Sequence, residues 1–226
     1  MKLHVNSAIK MLALAAAMTV ASSASAQSAG QWTVKAGLNV ITPKVESGDL
    51  SAPALPHTKA AVGTDTEPVL IITYSVTDNI SLELPLGLPY KHNLYGAGAI
   101  EGTGLLGSSE VLPATGLIQY RFLSPKSTLR PYVGVGATYA IFTKTTGSGQ
   151  LTALIDIGGP PATYKLDNKL GLTMQAGVAV ALSEKWFMDL SVTKTYLKTK
   201  ATFSTGQTQD LKFDPLGISF GVGYKF

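Results

Sequence analysis

Leu216-Gly217-Ile218-Ser219-Phe220-Gly221-Val222-Gly223-Tyr224-Lys225-Phe226 carries a large apolar side chain at every even number and glycine, serine or lysine at every odd one. A period of two is the signature of a β-strand with two unlike faces. The same pattern recurs upstream. Trp32, Val34, Ala36, Leu38 and Val40 oppose Thr33, Lys35, Gly37 and Asn39, and Leu82, Leu84, Leu86, Leu88 and Tyr90 oppose Ser81, Glu83, Pro85, Gly87 and Pro89. Residues 170–182 and 186–195 alternate likewise, and weaker strands are expected at 69–76, 114–122 and 131–142. The total is eight.

Alternation alone does not say which face is inside. The composition of the polar faces does: they are rich in Gly, Ser and Thr, whereas a water-facing surface carries many Lys and Glu. The whole chain has 14% charged residues against roughly 25% in a soluble domain. Small polar residues suit a crowded barrel interior, with the apolar faces left for lipid. The expected fold is all-β, an eight-stranded antiparallel transmembrane β-barrel. Short turns at 77–79, 123–129 and 183–185 alternate with long connections at 42–67, 91–112 and 143–169, as short periplasmic turns and long extracellular loops should. Trp32, Tyr120, Phe122, Trp186 and Phe226 fall at the short-turn rim and Tyr90, Tyr139 and Tyr196 towards the other, forming two aromatic girdles.

At the N-terminus, Lys2 and Lys10 precede the apolar run 11–20, and Ala24-Ser25-Ala26 follows as an A-x-A cleavage box. About ten apolar residues are too few to span a bilayer, which takes about 20. Residues 1–26 are therefore expected to be a cleaved signal peptide and 27–226 the mature barrel, exported in a Gram-negative bacterium. Removing Lys2 and Lys10 leaves 16 basic against 14 acidic residues, a net charge of about +2 that does not suggest nucleic-acid binding. The chain of 226 residues has no cysteine, which excludes a disulfide scaffold and a cysteine-ligated metal site.

Thr77-Asp78-Asn79-Ile80, leading through Glu83-Leu84 to Leu88-Pro89-Tyr90-Lys91-His92, is one of several segments that together resemble the outer membrane protein W family. The others are Arg130-Pro131-Tyr132-Val133-Gly134-Val135-Gly136, Asp214-Pro215 and Gly221-Val222-Gly223-Tyr224-Lys225-Phe226. The resemblance covers nearly all of the mature chain. It implies an eight-stranded outer-membrane barrel for passive uptake of small hydrophobic molecules, with relatives that assist import of alkanes or aromatic hydrocarbons. The long segments 42–67 and 143–169 fall outside what is familiar in that family.

The residues suggest a mechanism of their own. An eight-stranded barrel is just wide enough to be filled by side chains or to hold one small ligand. Counting inward positions from the short-turn rim puts Lys35, Glu83 and Asp189 about three residues up, with Arg121 and Lys225 nearer the bottom. A buried charge needs a partner, so these five are expected to form a polar plug at the periplasmic end. Higher up, Val69, Ile71, Leu117 and Phe142 point inward as a ligand channel, with His92 lining or capping the entrance. An oily molecule resting there above a charged floor has to leave sideways. Pro85 and Pro89 lack the backbone donor that a ladder needs and are the expected lateral gate; the competing expectation is that they mark a bulge or a strand end. Phe226, closing an aromatic strand, is expected to act in recognition by the barrel assembly machinery.

Other motifs carry less. Gly102-Thr103-Gly104-Leu105-Leu106-Gly107 matches G-x-G-x-x-G without a surrounding βαβ unit and is expected to be a surface loop, so no cofactor is expected. Only His57 and His92 remain after the signal, too few for a histidine metal cluster. His92 with Ser108 or Ser109 lacks a third, orienting group, and no enzyme activity is expected. Lys194, Lys198 and Lys200 suit an outer rim facing lipopolysaccharide. The alternative function is a non-transporting barrel, a structural protein or a surface receptor for phage, bacteriocin or host, whose lumen would be blocked and whose loop tips would carry the function.

Overall fold

The computed structural model describes residues 28–54 and 56–226; the signal-peptide expectation lies outside them. In chain order the elements are β1 (Trp32–Thr42), β2 (Glu46–Ser47), β3 (Thr58–Val62), β4 (Asp65–Ser75), β5 (Ile80–Gly87), β6 (Tyr90–Gly98), β7 (Leu105–Arg121), β8 (Leu129–Gly147), α1 (Gly149–Ile155), β9 (Tyr164–Leu166), β10 (Lys169–Ala181), β11 (Trp186–Tyr196), β12 (Lys198–Phe203), β13 (Thr208–Lys212) and β14 (Leu216–Lys225). Eight of them close a barrel in the order β1-β4-β5-β7-β8-β10-β11-β14, with β14 returning to β1. Every pairing is antiparallel.

The two faces lie as the composition requires. Leu38, Leu70, Leu82, Ile118, Val135, Leu172, Leu190 and Phe220 are exposed on the outside, while Thr33, Thr73, Gln119, Thr173, Asp189 and Ser191 are buried within. A one-residue slip would exchange the two sets. At the short-turn rim, Trp32 packs on Tyr74 with ring centroids 4.8 Å apart, and Trp186 meets Tyr224 edge-on at 5.0 Å. These rings belong to a girdle where an apolar body meets lipid and a polar edge meets water.

The long connections fold more than their glycines and prolines suggested. The 91–112 segment is mostly strand: β6 runs back along the upper half of β7, and β3 adds to the free edge of β6. Above the barrel, β2, β13, β12 and β9 form a second sheet. Its inner side, with α1 and β3, buries a core that includes Leu50, Ile100, Leu151, Tyr164, Phe203 and Leu211. α1 starts at Ser148, whose hydroxyl accepts a hydrogen bond from the Leu151 amide at 3.1 Å, the usual way a first-turn donor is satisfied. The loops thus make a cap with a hydrophobic core of its own.

Candidate functional site: the barrel lumen

The lower lumen is filled by side chains joined in a hydrogen-bonded network. Lys35 on β1 donates to Asp189 on β11 at 2.5 Å and lies 3.8 Å from Glu83 on β5. Tyr132 on β8 donates its hydroxyl to Asp189 at 2.9 Å, and Gln175 on β10 donates to Glu83 at 2.8 Å. Gln119 donates to Gln175 at 2.7 Å and accepts from Arg121, also at 2.7 Å. The Arg121 guanidinium lies over the Tyr132 ring, 4.6 Å from its centre, a favourable cation–π contact. The Lys225 ammonium lies 5.9 Å from the Phe187 ring centre. Lys35, Glu83, Arg121 and Asp189 are therefore in one bonded network, and Lys225 is buried at the same end.

Glycine makes room for this packing. A Cβ at Gly177 would come within 2.4 Å of the Tyr132 ring, and one at Gly223 within 2.2 Å of the Phe187 ring. Both glycines face inward, so the two rings lie across the lumen against bare backbone. The sequence reading missed Tyr132, Gln119, Gln175 and Phe187 as parts of the floor. Their signal was the strand phase, since each falls at an inward position of a strand already assigned.

Above the floor the side chains shrink and a cavity of about 130 Å³ opens. Val69, Ile71, Leu117, Phe142 and His92 all line it. So do Leu197 and Phe213, and Tyr90, which was expected in the outer girdle but turns inward and is buried because β5 ends at Gly87 and β6 starts anew at Tyr90. Phe213 descends from the cap and packs on Phe142 with centroids 5.8 Å apart. The His92 ring nitrogen Nδ1 is 2.8 Å from the Gly63 carbonyl oxygen. His92 lies on β6, beyond the lipid-facing band, and burial holds its imidazole below the ordinary histidine value, so it brings no charge to the mouth near neutral pH.

The wall beside this cavity is interrupted. β5 pairs with β7 only from Ile80↔Tyr120 to Glu83↔Leu117, and β6 resumes the pairing at Tyr90↔Val111. Residues 84–89 and 112–116 have no partners in each other. Pro85, Gly87 and Leu88 line the cavity from one edge of this break and Leu112, Pro113 and Thr115 from the other. Pro85 still pairs with Ile71 of β4, whereas Pro89 is exposed in the short link between β5 and β6. The two prolines therefore differ: Pro85 borders the cavity and Pro89 ends the strand. Pro113, on the opposite edge, is a third proline that the strand rule would have found had β7 been extended below residue 114.

Phe226 lies at the lower rim, exposed, its amide donating to the Trp32 carbonyl at 2.9 Å. His92 is opposite Ser109 in the β6–β7 register. Lys194 reaches the Asp214 carbonyl oxygen, at the base of the cap.

Comparison with known proteins agrees with this architecture. The model of the OmpW family matches residues 28–226. Outer membrane protein W of Vibrio cholerae is 32% identical over 87% of this chain and 89% of its own length. Outer membrane protein AlkL of Ectopseudomonas oleovorans is 26% identical over 87% of this chain and 83% of its own. Among solved structures, the crystal structure of OprG from Pseudomonas aeruginosa superposes with a TM-score of 0.80 at 28% identity, over 89% of this chain and 98% of that one.

Proposed function

The chain belongs to the OmpW family of outer-membrane barrels, and we propose that it is a passive channel for small hydrophobic molecules, entered from the extracellular cap and left sideways through the broken wall between β5 and β7. One observation carries this reading: a cavity lined by Val69, Ile71, Leu117 and Phe142 meets a break in the barrel on its side and a bonded, charged network below. An apolar solute gains by staying in such a chamber, at about 25 cal/mol per Å² of apolar surface removed from water. The floor offers it no exchange of that kind. Lipid does, and lipid lies just beyond residues 84–89 and 112–116.

In this reading Lys35, Glu83, Arg121, Asp189 and Lys225 seal the periplasmic end, His92 lines the mouth, and Pro85 keeps the β5 edge from pairing where the solute passes. Pro89 serves by ending β5. Lipid surrounds the band, lipopolysaccharide faces the basic outer rim, and Phe226 is read by the assembly machinery. Replacing Pro85 and Pro89 by alanine restores the missing donors. The double variant should insert normally and take up hydrocarbon more slowly in whole cells; unchanged uptake by a correctly folded barrel removes the lateral route.

A further inference from the structure

The cavity is not uniformly apolar. Four threonines on consecutive barrel strands turn their hydroxyls towards one another along its wall: Thr115 on β7 to Thr138 on β8 at 2.8 Å, Thr138 to Thr173 on β10 at 2.6 Å, and Thr173 to Thr195 on β11 at 2.9 Å. All four line the cavity. The row begins at the edge of the wall break, since Thr115 is within 112–116, and runs away from it. We propose that this row is a head-group subsite, and that the preferred ligand is a neutral molecule of about six carbons with a single hydroxyl or carbonyl group. The inference rests on the uptake reading above and names its substrate class.

Each threonine hydroxyl has one proton and two acceptor places. Three bonds among four hydroxyls use three of four protons and three of eight acceptor places, leaving one proton and five acceptor places. The donor direction along the row is reversible. If Thr195 donates towards Thr173, the last proton falls to Thr115, whose other acceptor is the Pro113 carbonyl at a long 3.5 Å. If Thr115 donates towards Thr138, the free proton is at Thr195. The row therefore serves an alcohol, which donates, and a ketone, which only accepts, without moving a side chain. Bonds in such a chain polarise one another and strengthen the terminal donor.

The charge of the head group follows from its surroundings. Among the described residues lining the cavity there is no lysine or arginine, and Glu83 is the one carboxylate. Glu83 already accepts from Gln175 and Thr73 and faces Lys35. An anionic head would meet Glu83 with no cation among the described lining residues, and a cationic one would compete with the bonds Glu83 already makes. Size follows from the volume. A cavity of about 150 Å³ takes one benzene, and this one is about 130 Å³, so the tail is short or reaches out through the wall break towards lipid.

The test uses the full barrel in lipid nanodiscs with its threonine methyls labelled for NMR. It is titrated with cyclohexanol, cyclohexanone and the near-isosteric methylcyclohexane, each expressed as its concentration in the lipid. The alcohol and the ketone should bind roughly three- to tenfold more tightly than the hydrocarbon, as one added neutral hydrogen bond gives. Replacing Thr138 and Thr173 by valine together should abolish that preference while methylcyclohexane still binds. Should the double variant fail to fold, Thr195→Val alone removes one end of the row and should lower cyclohexanol affinity at least twofold relative to methylcyclohexane. Equal binding of all three probes by the unaltered barrel overturns the head-group subsite and leaves hydrophobic uptake standing. Binding of none of them overturns both.

Discussion

The lower and upper halves of this lumen belong to one eight-stranded barrel, yet one is packed shut and the other holds a cavity of about 130 Å³. The difference lies in the inward residues. Below, Tyr132, Phe187, Gln119, Gln175 and Arg121 are large, and Gly177 and Gly223 receive the two rings. Above, Val69, Ile71, Leu117, Thr138 and Thr173 are short, and the wall itself opens between β5 and β7. Strand number sets the diameter, but side-chain length decides whether that diameter is a plug or a chamber. The floor is held by hydrogen bonds among groups that lose badly when one partner goes. The chamber is held by neutral hydrogen bonds and apolar contacts, which cost less to lose than a buried charge pair.

The largest expected effect therefore comes from the floor. Asp189→Ala removes the closest partner of Lys35 and the acceptor of the Tyr132 hydroxyl, leaving a buried ammonium with Glu83 at 3.8 Å. Breaking a buried pair costs about 3–5 kcal/mol, to be read from the urea midpoint of the barrel folded into vesicles. Asp189→Asn, which keeps an oxygen acceptor for the Lys35 ammonium and the Tyr132 hydroxyl, should recover part of the loss, because the alanine leaves both buried donors unsatisfied. A single variant as stable as the parent would mean that the floor is not locked by this pair.

A change in the chamber should act the other way round, on passage more than on stability. Leu117→Trp extends a side chain into the cavity beside the wall break. The added volume enters empty space, so stability should shift by less than about 1–2 kcal/mol, whereas a ligand forced to share the space meets about 1–3 kcal/mol of overpacking. Hydrocarbon uptake per inserted barrel should fall roughly ten- to hundredfold. A filled chamber with undiminished uptake would separate transport from this cavity altogether.

How much of this contrast was legible in the sequence follows from the same physics. The strand phase was readable because period two is local: Lys35, Glu83 and Asp189 are inward by parity alone, and their height follows from counting residues above a short turn. Val69, Ile71, Leu117 and Phe142 are placed by the same count. What parity does not carry is pairing across distant strands. The break between β5 and β7 depends on β6 taking over the upper part of β7 after Pro89, a tertiary substitution that no window of sequence contains. The cap was missed for a related reason. Its strands β2, β9 and β13 have 2, 3 and 5 residues, too short for a periodic signal, and they are stable only because they share a core. Phe213 and Leu197 enter the cavity from that cap. The threonine row was missed because Thr115, Thr138, Thr173 and Thr195 each read as an ordinary small inward residue, and only the register brings the hydroxyls into line.

The smallest effect is expected at the junction of chamber and cap, and it depends on pH. His92 is held below the ordinary histidine value by burial, against the opposing pull of the Gly63 carbonyl and of Asp65. Above the unfolded value near 6.5, folded and unfolded chains both carry a neutral ring, and the residue makes no pH-dependent contribution. As pH falls below 6.5 the unfolded chain takes up a proton that the folded chain still refuses, so stability decreases until the lower folded value is passed. His92→Gln keeps a donor for the Gly63 carbonyl and has no titrating group. Between pH 7 and pH 5 the urea midpoint of the parent should drop more than that of the variant. The sign is the sharper part of the test. A histidine that was charged and paired would make the parent gain stability over the same interval, and the mouth of the chamber would then belong electrostatically with the floor rather than with the apolar space it covers.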